Sequence, residues 1–100
     1  MQSKEEGMLH LARKAGKLIY GSDAAAKAVR AKKAHLVILA EDASDNTKKL
    51  MKNKCRSFGV PLIEMMSAGE IGEKFGKSDI SVLAVSDENF AKAIMNSIAL

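Results

Sequence analysis

The feature that most constrains this chain is the apolar run HLVILA at residues 35–40. A continuous run of this length, rich in β-branched and aliphatic residues, is typical of a strand that is buried on both faces. We therefore expect a central strand in a sheet that helices cover on both sides. Glu41 and Asp42 follow this strand at its carboxyl end, where open α/β sheets usually present polar function.

These two acids allow two interpretations. A pair of carboxylates at the end of a strand could bind a metal or carry out acid/base chemistry. No histidine and no third carboxylate directly adjoins Glu41 and Asp42 in the sequence. The sequence therefore favours the other interpretation, in which the acids cap a helix or pair with neighbouring lysines.

Helical and strand patterns alternate along the whole chain. The predicted helices occupy residues 4–14, 23–32, 45–58 and 68–75 and a last segment after Asp87. The predicted strands occupy residues 35–40, 60–65 and 81–86, and residues 18–20 are long enough only for an edge strand or a turn. This alternation predicts a single domain over residues 1–100, built as an α/β/α layered sandwich around a small sheet.

Side chains near the helix ends and in the apolar stripes have predicted structural roles. Ser44, Ser67 and Asp87 are expected to cap the helices that follow them. Leu50, Met51, Cys55 and Phe58 form the apolar stripe of the third helix. In the last helix the residues expected to face inward are Phe90, Ala91, Ile94 and Ile98, with Met95 as a further candidate.

Composition restricts the classes of protein to consider. With 47% hydrophobic residues the chain is not of the disordered class. It has no apolar run of 18 residues and no signal peptide, so we expect neither a membrane-spanning nor an exported protein. Cys55 is the single cysteine and cannot form an internal disulfide, which together with the lack of an export signal indicates the cytoplasm.

Basic residues are concentrated around a glycine turn. Residues 13–33 contain seven of the 16 lysines and arginines and one acid, Asp23. Positive charge beside a turn suits a phosphate backbone, because binding releases condensed counterions; a solvated helix face is the alternative. Gly21 can adopt a positive φ, and Ser22 or Asp23 can then cap the helix and leave backbone N–H groups available for a phosphate or a base edge. An ordinary helix cap that binds no ligand would have the same residues.

A second basic segment lies in the third helix, where a further nucleic-acid surface and simple solubility explain the charges equally well. Its basic residues are Lys48, Lys49, Lys52, Lys54 and Arg56.

No catalytic or metal-binding motif is complete. The triplet GKS at 76–78 resembles the end of a phosphate-binding P-loop, but the glycine required earlier is Ile71, and the triplet closes a helix instead of opening one. His10 and His35 have no cysteine partners, so there is no zinc signature. We therefore expect no enzyme, no cofactor and no metal. The aromatic residues, which a base-stacking sheet would cluster on neighbouring strands, lie far apart in sequence: Tyr20, Phe58, Phe75 and Phe90.

Six segments follow one another in a characteristic order that covers nearly the full chain: LARKAGKLIYG, a basic helix, AHLVILAEDAS, CRSFGVPLIE, EIGEKFGK and VLAVSDENFAKAI. In these segments the chain resembles the ribosomal protein L-seven-Ae family of kink-turn RNA binders, and most closely its small bacterial YlxQ-like subgroup. The resemblance implies a three-layer α/β/α sandwich with a small mixed four-stranded sheet. It also implies RNA binding through the loop that opens the second helix.

In the family that loop reads Gly-Thr-Asn-Glu, then two more residues and Lys, whereas this chain has GSDAAAK. Gly21 and Lys27 match, and Ser22 keeps the hydroxyl. Asp23 replaces Asn and offers only acceptors, and Ala24 replaces Glu and offers no polar group. A good base-edge contact is worth about 1–3 kcal/mol, so these changes are expected to weaken the reading of sheared G·A pairs. In the loop after Gly76 the family has apolar residues where this chain has Lys77, Ser78 and Asp79, which favours phosphate contact.

From the resemblance we expect Gly21 and Ser22 to approach RNA through their backbone and Asp23 to contact a base, while Lys27 and Arg30 hold phosphates. The second-tier candidates are Lys17, Lys32 and Lys77. The implied partners are structured RNA, either a kink-turn or ribosomal RNA, and the ribosome or translation factors, with no membrane and no DNA.

Two other functions stay open at this point. The fold could serve as a protein-interaction adaptor that has lost its RNA site, which the residues at Asp23 and Ala24 would permit. A small enzyme acting at Glu41 and Asp42 is the third hypothesis.

Overall fold

The computed structural model describes residues 4–98 of the chain, including the side chains of residues 7–98. In that part of the chain, five helices alternate with four strands, as predicted. The helices are α1 (Lys4–Lys14), α2 (Ser22–Arg30), α3 (Asp45–Phe58), α4 (Ala68–Lys74) and α5 (Glu88–Ile98). The strands are β1 (Leu18–Tyr20), β2 (Leu36–Leu39), β3 (Leu62–Glu64) and β4 (Val82–Val85).

The four strands form one mixed sheet in the order β1-β4-β2-β3. β4 pairs antiparallel with β1 and with β2, whereas β2 and β3 are parallel. Every residue of β2 and of β4 is buried. The prediction that the HLVILA run forms a central strand buried on both faces is therefore confirmed. Residues 18–20, for which the sequence allowed an edge strand or a turn, form an edge strand.

Helices cover both faces of this sheet. α2 and α3 pack against each other, α2 against β1 and β4, and α3 against β2. α1 packs along α5, which in turn contacts β4. The expected three-layer α/β/α sandwich with a mixed four-stranded sheet is confirmed.

The strand register brings Tyr20, Leu39, Glu64 and Val82, each at the end of its strand, to one end of the sheet, which we call the upper end; the opposite end is the lower end. Leu39 lies opposite Val82 on one side and Glu64 on the other. The amide of Gly21, which follows β1, donates to the Val82 carbonyl at 2.9 Å. Since α2 follows β1 and α3 follows β2, both helices begin at the upper end and run side by side toward the lower end.

The predicted caps of α3, α4 and α5 are present. Ser44, Ser67 and Asp87 each accept a hydrogen bond from the backbone N–H three residues ahead, at 3.2, 3.1 and 3.0 Å respectively. The cap at Ser67 is reciprocal, because Glu70 accepts a bond from the Ser67 amide at 3.1 Å. Such a capping box satisfies two N–H groups that the helix leaves without a partner.

Of the two acids after β2, only Asp42 has the predicted capping role. The Asp42 carboxylate accepts a hydrogen bond from the Ala68 amide at 2.8 Å, and so joins the end of β2 to the start of α4. Glu41 is exposed, and its backbone N–H donates to the Met66 carbonyl at 2.8 Å. No group of three potential metal ligands occurs among the residues that the structure describes.

Two packing predictions and one predicted helix end are wrong. Met95 and Ile98 of α5 are 36% and 41% exposed, because burial follows a narrower stripe that includes Ala91 and Ile94. In α3, Leu50 and Phe58 are each 41% exposed. α2 ends at Arg30 instead of residue 32, because Lys32 takes a left-handed φ of 60°.

Cys55 is a core residue, as predicted. Its side chain is buried beside Met51 on the inner face of α3. Burial raises the pKa of the Cys55 thiol to about 11 from its ordinary value of 9.0. Reactive cysteines are marked by exposed thiolates, so Cys55 lacks the properties of a nucleophile.

No helix within residues 4–98 combines the length and the apolar character that crossing a membrane requires.

Candidate functional site

The start of α2 depends on the conformation of Gly21. This residue has φ 99° and ψ 152°, a region of backbone space that is essentially restricted to glycine. An added Cβ would meet no atom within 4 Å, so the requirement for glycine at this position is conformational and not a matter of space. The left-handed turn lets the chain leave β1 and enter α2 within a single residue.

Gly21 is itself the N-cap residue of α2, and the expectation that Ser22 or Asp23 caps the helix is wrong. A capping oxygen must come from the residue that precedes the first helical position, and glycine has no side chain. The first helical bond runs from the Ala25 amide to the Gly21 carbonyl at 3.0 Å. No described side chain caps α2, so the amides of Ser22, Asp23 and Ala24 remain available to an external acceptor.

Lys27 and Arg30 lie on the outer face of α2. The inner face consists of small residues, Ala25, Ala26, Ala28 and Val29, which bring the helix close to the sheet. Lys27 and Arg30 are exposed, and neither forms an ion pair with any side chain of residues 7–98. At 1.5 Å per residue they lie about 7 and 12 Å along the axis from the start of the helix, in its last turn.

A cluster of aromatic rings brings Lys77 to the same end of the molecule. Phe75, at the end of α4, is buried and packs edge to face against Tyr20 with ring centroids 6.0 Å apart. The Lys77 ammonium lies over the Tyr20 ring, 4.7 Å from its centroid. Tyr20 is the residue immediately before Gly21, so this contact places Lys77 beside the start of α2. An exposed cation–π contact is worth about 0.5–1 kcal/mol, so it orients Lys77 but leaves it free to bind a phosphate.

Two further side chains of α1 complete the aromatic cluster. The His10 ring lies 5.4 Å from the Phe75 ring, and the Arg13 guanidinium lies 5.8 Å from it. Burial raises the pKa of the Tyr20 phenol above its ordinary value, and the nearby positive charge of Arg13 partly offsets this. The Tyr20 hydroxyl therefore stays protonated at neutral pH and can act as a hydrogen-bond donor.

The loop that carries Lys77 packs tightly against α4. A Cβ added at Gly72 would lie 2.7 Å from the carbonyl carbon of Ser78 and 2.9 Å from the carbonyl oxygen of Lys77, and closer still to the Ser78 oxygen. The Lys77 amide also donates to the Gly72 carbonyl at 2.8 Å. The absence of a side chain at Gly72 therefore determines where the loop and its lysine lie.

The other two second-tier candidates lie at the lower end of the sheet. Lys17 precedes β1, and its carbonyl accepts from the amide of Ser86 at 2.8 Å, at the far end of β4. Lys32 follows α2 and lines a groove of about 380 Å³ together with His35 and Phe58. The structure thus groups Gly21, Ser22, Asp23 and Lys77 at or beside the start of α2 and places Lys27 and Arg30 farther along the same helix, in its last turn. Lys17 and Lys32 lie at the lower end of the sheet, where α2 ends.

Sequence reasoning missed Tyr20, Phe75 and Arg13 as members of this region. Tyr20 and Phe75 are 55 residues apart in the chain yet pack together, which their separation in sequence did not indicate. Only the position of Tyr20 directly before Gly21 is visible in the sequence.

Asp23 gives this region a mixed electrostatic character. It is exposed in the first turn of α2, where a carboxylate interacts favourably with the helix dipole. The same carboxylate opposes the approach of a phosphate to the amides beside it. The region therefore combines basic side chains and available N–H groups with one acidic side chain.

Comparison with known proteins identifies the family. A model of the ribosomal protein L7Ae/L30e/S12e/Gadd45 family matches residues 3–95. The RNA-binding protein YlxQ of Bacillus subtilis (strain 168) is 38% identical over 89 residues, which are 89% of this chain and 89% of that protein. The RNA-binding protein YlxQ of Enterococcus faecium is 40% identical over 91 residues, 91% of this chain and 87% of that protein.

A solved structure of a protein with unknown function from Bacillus halodurans C superimposes with a TM-score of 0.93 and 31% identity, over 99% of this chain and 100% of that one. The chain therefore belongs to the ribosomal protein L7Ae/L30e/S12e/Gadd45 family. Its resemblance to the YlxQ proteins of that family is confirmed.

Proposed function

We propose that this protein is a non-catalytic RNA-binding protein of the cytoplasm that recognises a kink-turn or internally looped RNA of the translation apparatus. The observation that carries the proposal is the start of α2, where three backbone amides have no cap among the described side chains. The exposed cations Lys27 and Arg30 lie farther along the same helix. The relatives named RNA-binding protein YlxQ support the same function.

The chemistry of the proposed contact follows from the groups that are available. The amides of Ser22, Asp23 and Ala24 are donors for a phosphate or a base edge at a helix N-terminus. Lys27 and Arg30 would hold phosphates that flank this point, and Lys77 would contribute a third cation from the neighbouring loop. Phosphate contacts fix the position of the protein on RNA, whereas base contacts provide specificity.

Recognition of the sheared G·A pairs of a kink-turn would depend mainly on backbone donors in this chain. Asp23 offers only acceptors, and Ala24 ends in a methyl group. We therefore propose that the protein binds its RNA through phosphates and backbone amides, with less base-edge discrimination than a loop with Asn and Glu would provide. The salt dependence of binding should then be steep.

The test is fluorescence anisotropy with a kink-turn RNA and with a control RNA whose tandem G·A pairs are replaced, each measured at several salt concentrations. The variant Lys27→Gln/Arg30→Gln should bind the kink-turn RNA more weakly. Its plot of log K against log salt should be shallower, by about 0.7–0.9 for each phosphate that the variant no longer neutralises.

The matched control is Lys14→Gln/Lys92→Gln, which removes the same charge from α1 and α5 on the other face of the sheet. Equal loss of affinity in both variants would show a general effect of charge and would contradict a site at α2. If the wild-type protein binds both RNAs equally, specific recognition of the kink-turn is wrong. Binding to neither RNA would favour the function of a protein-interaction adaptor, which the residues at Asp23 and Ala24 would permit.

A further inference from the structure

The excess positive charge of this protein is carried by a helix outside the proposed site. α3 contains five basic side chains and one acid, a net charge of +4 that equals the net charge of the whole chain. The remaining basic and acidic residues are equal in number. A helix that holds the entire charge excess is therefore a candidate for a second contact with a polyanion.

Three of these cations form a stripe on one side of α3. Lys49, Lys52 and Arg56 follow one another at spacings of three and four residues, so they lie on the same face of the helix. All three are exposed. The Lys52 ammonium lies 3.2 Å from the Glu64 carboxylate of the edge strand β3, which shows that this face points toward β3. Phe58, on the other side of α3, shares a groove with Val29 of α2.

The basic stripe begins at the same end of the molecule as the proposed RNA site. Glu64 is the last residue of β3 and lies opposite Leu39, at the upper end of the sheet. Lys52, which pairs with it, therefore lies near the level at which α2 begins. Packed helices lie about 8–10 Å apart, so a nucleic acid seated on the start of α2 can reach the stripe across the upper end of α3.

The chemistry of the stripe points to phosphate contact and not to base recognition. No aromatic side chain lies among Lys49, Lys52 and Arg56, so this face has nothing on which an unpaired base could stack. Double-stranded RNA is recognised mainly through its shape and its phosphates. The ion pair between Lys52 and Glu64 is solvent-exposed, at 49% and 34% for the two side chains, so little energy is lost when Lys52 exchanges its partner.

From this placement we infer that Lys49, Lys52 and Arg56 form a second RNA contact, which binds the phosphate backbone of a helix that flanks the RNA element held at α2. The inference rests on the proposed function, because it assigns a further part of the same RNA to a further surface. It makes the footprint on RNA longer than the region around Gly21 and Lys27 alone.

The experiment compares two kink-turn RNAs that differ only in the length of one flanking helix, the longer exceeding the shorter by about one turn. The wild-type protein should bind the longer RNA more tightly. The variant Lys49→Gln/Lys52→Gln/Arg56→Gln should lose this advantage and keep its affinity for the shorter RNA. On the longer RNA the affinity should fall at least about tenfold at low salt, and the salt slope should become shallower by up to about 3.

Two further variants sharpen the result. Glu64→Gln removes the acid that competes for Lys52, and should strengthen binding to the longer RNA. The triple variant Lys14→Gln/Lys33→Gln/Lys92→Gln removes the same charge elsewhere and should affect both RNAs alike. All the substituted lysines and arginines are exposed, and thermal unfolding checks that each variant folds.

The inference is overturned if the α3 variant binds both RNAs as the wild type does, or if it loses affinity for both to the same degree as the control. Failure of the proposed function gives a different result. In that case binding depends on the length of the flanking helix and on α3, but it does not depend on Lys27 and Arg30 or on the G·A pairs. An absence of binding to any of these RNAs would overturn both.

Discussion

Replacing Gly72 by alanine tests whether the loop at Lys77 is held in place by close packing against α4. Gly72 is buried within α4, and the nearest atoms to a new Cβ all belong to the backbone of Lys77 and Ser78, at 2.9 Å or less. A separation below 3.0 Å from backbone atoms cannot be relieved by turning a side chain. The loop must therefore move away from α4.

Three terms determine the size of the effect. In a helix interior, alanine stabilises the helix by about 1 kcal/mol relative to glycine. Overpacking of a well-packed site costs about 1–3 kcal/mol, and stretching the bond from the Lys77 amide to the Gly72 carbonyl costs about 0.5–1.5 kcal/mol. We expect Gly72→Ala to lower the free energy of unfolding by about 1–3 kcal/mol, with about 4–8 °C of melting temperature for each kcal/mol in a domain of this size.

Gly69→Ala is the matched control on the same helix. A Cβ at Gly69 would lie 3.8 Å from the Asp79 carboxylate, an ordinary contact, so this variant should be as stable as the wild type or slightly more so. Urea unfolding followed by circular dichroism measures both, and a constant m-value would show that the unfolded state is unchanged. If Gly72→Ala proves as stable as Gly69→Ala, the argument that Gly72 fixes the position of the loop is wrong.

Two further predictions concern Cys55 and Asp23. Because burial raises the pKa of the Cys55 thiol to about 11, its contribution to stability is fully present below pH 9.0 and is lost as the pH rises toward 11. The difference in unfolding free energy between the wild type and Cys55→Ala should therefore shrink across this range in urea titrations. A constant difference would contradict the raised pKa of the Cys55 thiol. Asp23→Asn removes a negative charge from the first turn of α2, so it should tighten binding of kink-turn RNA by roughly tenfold and lower the free energy of unfolding by about 0.3–1 kcal/mol. Anisotropy should therefore show a higher affinity while urea unfolding shows a lower stability. Weaker binding would contradict the proposed position of the RNA.

The order of the elements and most of their ends could be predicted, because the signals are local. The apolar run at residues 35–40 identifies a strand by its own composition. Ser44 and Ser67 bond to backbone N–H groups three residues away, so their capping roles are visible within one turn of sequence. The same local reasoning failed at α2, where Gly21 caps the helix without a side chain and Ser22 already lies inside it.

The composition of the candidate site could be predicted only in part, because its members are joined through the sheet. Lys17 and Lys77 looked equivalent in sequence, each being a lysine near a glycine. β1 separates Lys17 from Gly21 by its full length, whereas the Tyr20 ring holds Lys77 beside it. The packing of Phe75 against Tyr20 joins residues from opposite halves of the chain and leaves no local pattern.

The position of β4 is the structural reason why this region forms at all. β4 is the last strand in the described part of the chain, yet it lies between β1 and β2 in the sheet, and its first residue, Val82, accepts the bond from the Gly21 amide. The segment that leads from α4 into β4 must therefore pass the end of β1, and this segment carries Phe75 and Lys77. A simple alternation of helices and strands is compatible with many strand orders, but an order with β4 at the outer edge beyond β3 would leave Lys77 far from α2. The proposed contact of Lys77 with RNA thus depends on the strand order as well as on the local packing of its loop against Gly72.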